Sequence, residues 1–440
     1  VSHLRTIVAP VTALVAALAL APAASAVDYP PPSKPGNGAN AKPKGPFRTL
    51  KVCKAKKSCF PRIQDAVNEA RPGDTIKVAH GTYREGVKIK GAAKRFIKLI
   101  GDPKDPAKVV LEGKGKKLAN GVQINGANQV TVNGFQAQHY TANGFFAVNV
   151  NGYTLTNLKA FLAGVYGVYA FNSIGGTISD SEAAWNNDAG FYIGQTPPQQ
   201  PKPVRSIVTN IKSYGNVLGW SGTNMRYVTI SDSKFYNNGA GIVPNALDSE
   251  KYPPAEDNVI TRNEVFWNNF NYWQGAPFKK SESTVSGEVP YPVGVGILLF
   301  GGHRNLVTQN KVYGNWLVGV GALQQLLLKD PQRDLVGNQI TNNQLGLGGA
   351  DLNGRDLFYD GNGSDNCFGD NAGVAVTAPE NGSTFAACPF TGPNAFSAEA
   401  QSTAINWTVG DPTHQANWIT HPHSPQAGIT PLEHYAGGVK

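Results

Sequence analysis

The sequence predicts an all-β chain, a single-stranded parallel β-helix solenoid, on three observations. The first is a short phrase, apolar–polar–polar–variable, that returns at Val132, Leu155, Ile178, Val208, Ile230, Ile260, Val307 and Ile340. Successive starts lie 23, 23, 30, 22, 30, 47 and 33 residues apart. A base period near 23 means one coil per copy, with loops grown out of some coils. The step of 47 is either two coils or one coil with a very long loop. Periods of roughly 20–50 residues mark repeat architectures in which no unit buries its apolar face alone. The second observation is the texture between starts. Fragments such as VTV, FFAVNV, IVTNI and GVGILLF read as short strands, separated by Asn/Gly runs suited to left-handed corners. The third is a fixed phase: Asn186, Asn216, Asn238, Asn268 and Asn315 each stand eight residues after a start. Stacked coil on coil, such amides can hydrogen-bond in a ladder. Their use as plain turn residues accounts for their number but not for their phase.

Taken in order, residues 1–26 read as an export signal, with a weakly basic start, an apolar run from Ile7 to Ala21 and small residues at Ala24–Ala26. No later apolar stretch is long enough to span a bilayer. An exported, extracellular protein is therefore expected, and a monomer. Residues 27–46 form a Pro/Gly-rich linker. Phe60 to Ala70 then reads as a short amphipathic helix with Phe60, Ile63, Ala66, Val67 and Ala70 on one face and Pro61 at its start. A solenoid end exposes unpaired strands, and this helix is placed to cap it. The β-helix domain is assigned to residues 47–375 and an irregular C-terminal segment to 376–440.

Cys53 and Cys59 precede the repeats, while Cys367 and Cys388 follow them. Each close pair suits a terminal disulfide in an oxidising compartment, with free buried thiols as the alternative. Charge is uneven. Lys34 to Lys117 holds 22 Lys/Arg against 7 Asp/Glu, within a whole-chain formal charge of +9. A basic end on an exported chain would draw in an acidic polysaccharide or cell-wall glycan, or it is a solvated lysine face. Nucleic acid is a poor partner for a chain without a recognisable binding motif.

The run IQDAVNEARPGDTIKVAHGTY, followed by REGVKIKG and IKLIGD, resembles the opening of right-handed parallel β-helix proteins of the pectin-lyase-like superfamily. The resemblance continues through the repeats to about residue 375. It implies the right hand of the solenoid and the capping role of the helix. On activity it leaves lyases, hydrolases, epimerases and non-catalytic surface proteins open.

Three excursions leave the repeats, opening near Phe191, after Ile242 and at Asn271. In lyases of this superfamily a surface Lys or Arg acts as base, often beside carboxylates that hold calcium. The resemblance therefore makes Lys279, Lys280, His303 and Arg304 candidates for base and positive field. Asp248, Glu250, Glu256 and Asp257 are hard oxygen ligands near one loop and candidates for Ca²⁺, or else a solvated hairpin. Hydrolases need two flanking carboxyl groups. The chain has Gly302-His303-Arg304 and an isolated Asp188, but no adjacent Asp-Asp in its repeats and no Trp-Ile-Asp-His run. Tyr192, Tyr272 and Trp273 are candidates for stacking on sugar rings. Aromatics beside the Asn positions, such as Phe266-Trp267, also suit packing. The reading is a secreted carbohydrate-active β-helix recognising an acidic polysaccharide and cleaving it by β-elimination. The alternative is a non-catalytic extracellular binding or structural solenoid.

Overall fold

The computed structural model describes residues 40–53, 58–199, 202–248, 250–270, 292–325, 328 and 332–409. The export signal, Tyr272, Trp273, Lys279 and Lys280 lie outside them. Among the described residues no helix is long and apolar enough to cross a membrane.

All the named strand pairings are parallel, each strand bonding to its equivalent one coil away. The eight anchors form one unbroken row. Val132 pairs with Leu155, Leu155 with Ile178, Ile178 with Val208, Val208 with Ile230, Ile230 with Ile260, Ile260 with Val307, and Val307 with Ile340. Direct pairing of Ile260 with Val307 decides the 47-residue step: it is one coil carrying a long loop. The row runs back through Leu99 and Ile76 to Leu50 and forward to Phe368. Stacking succeeds even past Gly354, where the repeat is no longer readable. Each coil contributes strands to two sheets, one of 20 strands and one of 11. Alternate residues turn inward, so the anchors and partners such as Phe145, Phe191, Trp220 and Ile297 make one continuous core.

The expected ladder exists. Nδ2 of Asn186, Asn216, Asn238, Asn268 and Asn315 each donates to Oδ1 of the next rung at 3.0–3.1 Å, ending on Asn353. The same oxygens accept backbone N–H groups, for example Asn216 N to Asn238 at 3.1 Å. Two further rows escape the sequence reading. Asn258–Asn305–Asn338–Asn366–Asn394 and Asn263–Asn310–Asn343–Asn371 are bonded in the same way. Their inner amides are buried and paired on both sides, which removes the cost of an unsatisfied polar group. Glycines packed beneath the first ladder have a related cause. A Cβ at Gly167, Gly219, Gly241 or Gly296 would come within 2.7–3.0 Å of the Nδ2 of a ladder asparagine. The amides occupy the space that a side chain would need.

Helix α1 (Ile63–Glu69) buries Ile63, Ala66 and Val67 in the core beside the first strands. It starts later than Pro61 suggests because its N-terminus is fixed from a distance. The buried Glu85 carboxylate accepts both Ile63 N and Gln64 N at 3.0 Å. Negative charge at that end also suits the helix dipole. Lys94 Nζ closes the other end on the carbonyls of Asn68 and Ala70. The end of the proposed linker lies against the coils, with Asn40 bonded to Asn128 and Ala41 to Arg95. Both cysteine pairs, Cys53–Cys59 and Cys367–Cys388, are disulfides. The C-terminal segment contains helix α2 (Ala398–Val409). Its Ala400 and Ala404 cover apolar residues on the outside of the 11-stranded sheet, among them Leu298, Phe300 and Phe358.

Candidate functional site

Outward-facing residues of the 11-stranded sheet lie in register from coil to coil. One such row reads Lys88, Gln123, Phe146, Tyr169, Tyr192, Ser221 and Val243. Strand Ala189–Gly194 supplies Tyr192 by alternation: Phe191 and Ile193 enter the core, so Tyr192 leaves it. Outside, Tyr192 packs with Tyr166 and Tyr169, both with ring centroids 4.8 Å away. Tyr169 in turn stacks on Phe146 at 4.6 Å. The result is an aromatic shelf on the outer surface, with Phe146, Tyr166 and Tyr169 half-buried.

The second excursion folds back two coils onto this shelf. Asn224 holds it, donating to the carbonyls of Leu247, Glu250 and Lys251 and accepting from Leu247 N. Gln195 accepts Lys251 N at 2.8 Å. Arg226, itself buried, binds the carbonyls of Tyr252 and Thr196. These ties join the first excursion to the second. The third lies mostly outside the described residues.

The loop so held delivers Glu250 to Tyr192, whose hydroxyl donates to Glu250 Oε1 at 2.6 Å. Glu250 as a residue is half-buried, but its Oε2 is sealed from solvent and has no hydrogen-bond partner. Burial, with the charge of the nearby Asp188 added, lifts the Glu250 carboxyl from the usual 4.5 to about 8. Asp188 is itself buried, in the turn leading into the Tyr192 strand. Burial and then the Glu250 charge push the Tyr192 phenol well above its ordinary value. At neutral pH the site therefore holds a neutral carboxylic acid against a neutral phenol. A carboxyl held neutral is the form that acid catalysts use in glycan chemistry, and with Oε2 sealed it would act through Oε1, the oxygen shared with Tyr192.

The other predicted residues are arranged differently. Arg304 grips Asp257 through Nε and Nη2 at 2.8 and 2.9 Å and reaches Glu256 at 2.7 Å. Glu256 also receives Arg226 Nε at 2.5 Å. These partners raise the Arg304 pKa further, and Arg304 is the ion-pair partner of both carboxylates. His303 lies beside it in a short strand, its backbone bonded to Ala255 and Asp257. The proposed calcium ligands are divided. Asp248 is exposed in the loop, Glu250 turns to Tyr192, and Glu256 and Asp257 are satisfied by guanidinium groups. Among the described residues no group of three metal-ligating side chains forms. Arginine forks fill the carboxylate positions that a cation would need. Of the aromatics, Trp220 points into the core and Trp267 is buried against Asp351. Tyr214, Tyr236, Phe266 and Tyr313 stack at 5.1–5.2 Å along the other sheet.

Asn224, Gln195 and Arg226 had no sequence signal, since their roles depend on a loop 23–56 residues away in the chain.

Residues 215–390 match a family described as the right handed beta helix region. No curated protein matches the sequence. Solved structures similar to the chain include the A-module of the Azotobacter vinelandii mannuronan C-5 epimerase AlgE4, with 15% identity and a TM-score of 0.47 over 71% of this chain and 89% of that one. An alginate lyase from Paenibacillus is 14% identical, with a TM-score of 0.44 over 75% of this chain and 97% of that one. The pectate lyase Pel9A is also 14% identical, with a TM-score of 0.40 over 76% and 78%. At such identities and scores these structures carry no argument about chemistry. The coil register and the family match together make the chain a right-handed parallel β-helix solenoid.

Proposed function

We propose that the protein is an exported carbohydrate-active solenoid that takes an acidic polysaccharide on the outer face of its 11-stranded sheet. The observation that carries this reading is the Glu250 carboxyl, buried against Tyr192, beside Asp188, with a pKa near 8. Held protonated, Glu250 can hydrogen-bond a uronate carboxylate and offset its charge, which favours loss of the adjacent C–H proton to a base in β-elimination. Among the described residues no group is assigned as that base. The aromatic shelf of Phe146, Tyr166 and Tyr169 supplies faces for sugar rings. Lys88 and Lys90, exposed on the same face four strands away, add attraction for the polyanion.

The test is incubation of the full chain and of Glu250→Gln and Tyr169→Ala with polyuronates and neutral glycans. Unsaturated uronate ends and new reducing ends are followed in parallel. The proposal expects unsaturated ends from a polyuronate, a loss of at least tenfold in Glu250→Gln, and weaker substrate affinity in Tyr169→Ala. A second reading, a binding solenoid without turnover, is favoured by one observation. The Arg304 group that would serve as base is committed to Glu256 and Asp257. Binding without product, still weakened in Tyr169→Ala, would select that reading. Neither binding nor product on any glycan would overturn both.

A further inference from the structure

The 20-stranded sheet carries a second charged surface, far along the solenoid from Tyr192 and on another wall. Strand Thr49–Val52 pairs with Thr75–Val78, setting Lys51 directly beside Lys77. Lys98 follows on the next strand, in register with Thr75. All three are exposed and point outward, because the alternating Leu50, Ile76 and Leu99 point in. Adjacent strands lie about 4.8 Å apart. Like charges set side by side on neighbouring strands are destabilising unless something neutralises them.

No described residue is placed to do so. Among the described residues none of the three lysines has an ion pair, and of the seven acids between Lys34 and Lys117 all but Asp65 of α1 are committed elsewhere. Asp74 and Glu69 serve Arg48, Glu85 caps α1, Asp102 binds His80, Asp105 pairs with Lys108, and Glu112 binds His139. The outward positions that follow on the next coils are Ile100, Thr131, Asn133, Thr154 and Thr156, without a carboxylate.

We infer that Lys51, Lys77 and Lys98 form an anchoring surface for a linear carboxylated polysaccharide. The surface is a flat sheet whose backbone N–H groups are used in the ladders, so it offers no nest for a compact anion. The lysines are separate point charges, not a guanidinium fork. Their arrangement fits a stiff chain with charges at intervals, laid along the solenoid axis. That the chain is a polysaccharide rests on the glycan reading above. The anchoring role would hold a long polymer while another stretch of it meets Glu250.

The experiment measures binding of the full chain to polygalacturonate by calorimetry, at low and high salt. It compares wild type, Lys51→Gln/Lys77→Gln/Lys98→Gln, the same three positions changed to Arg, and Glu250→Gln. The inference expects at least tenfold weaker binding in the Gln triple variant, with a shallower salt dependence, and near-wild-type binding in the Arg triple variant. It also expects the Gln triple variant, free of polymer, to melt at or above the wild-type temperature. Unchanged affinity in the Gln variant overturns the inference, and a lower melting temperature does so by making the lysines structural. A loss confined to Glu250→Gln would spare the site and remove the anchor. Tighter, lysine-dependent binding of polyphosphate in a parallel arm would overturn the choice of a carboxylated polymer.

Discussion

Glu250 shows how a single residue takes its chemistry from its neighbours. Its carboxyl is protonated in the folded chain up to about pH 8 but only to about 4.5 when exposed. Between those values folding takes up a proton, so stability must fall as pH rises through that window. The slope is up to about 1.4 kcal/mol per pH unit. Glu250→Gln keeps the shape and cannot ionise. Chemical denaturation at several pH values should show the slope in wild type and its loss in this variant. A flat wild-type profile would mean that Glu250 is ionised in the folded chain. From sequence Glu250 could be named as a candidate calcium ligand, but not as the partner of a tyrosine. Tyr192 lies 58 residues away, and only the backward fold of a loop joins the two. Glu256 and Asp257 looked equally available in sequence. What distinguishes them is Arg226 and Arg304, which become neighbours only when coils stack.

At the level of elements, each rung of the ladder is shared between coils. Asn238→Ala would strip the acceptor from Asn216 N and leave the Ser213 carbonyl without its donor, while Asn216 Nδ2 keeps its bond to the Tyr214 carbonyl. With about 1–3 kcal/mol for each buried group left unpaired, a loss of about 3 kcal/mol is expected on denaturant titration. A loss below about 1 kcal/mol would show the ladder to be ornamental. The first ladder was legible because its asparagines keep a constant distance from an apolar anchor. The other two could have been seen in the spacing of Asn258, Asn263 and Asn268, repeated at Asn305, Asn310 and Asn315. Helix α1 was legible from its apolar face, and its true start was not. Glu85, from a later turn between strands, selects it. Glu85→Ala should therefore destabilise the N-terminal end by about 1–2 kcal/mol, read as earlier amide exchange in α1 and its flanking strands.

For the whole molecule, a solenoid separates tasks along its length. The coil stack needs only anchors, corner asparagines and glycines, which recur and so can be read from one sequence. The outer surface is free to vary, and there the chain places a lysine-rich first part, an aromatic shelf with Glu250, and helix α2 over the apolar outer side of the later coils. Helix α2 was hidden inside a segment read as irregular. Its apolar residues, Ala400, Ala404 and Trp407, have meaning only against Phe358 and its neighbours, Trp407 meeting Phe358 at 5.2 Å.

The most direct test of the account is the pH dependence of oligouronate binding to the full chain, compared between wild type and Glu250→Gln. If a protonated Glu250 receives the sugar carboxylate, wild-type affinity should drop as pH passes about 8, where the new negative charge repels the ligand. The Glu250→Gln profile should stay level across the same range. Parallel profiles in the two proteins would contradict the placement of the glycan at Tyr192 and Glu250.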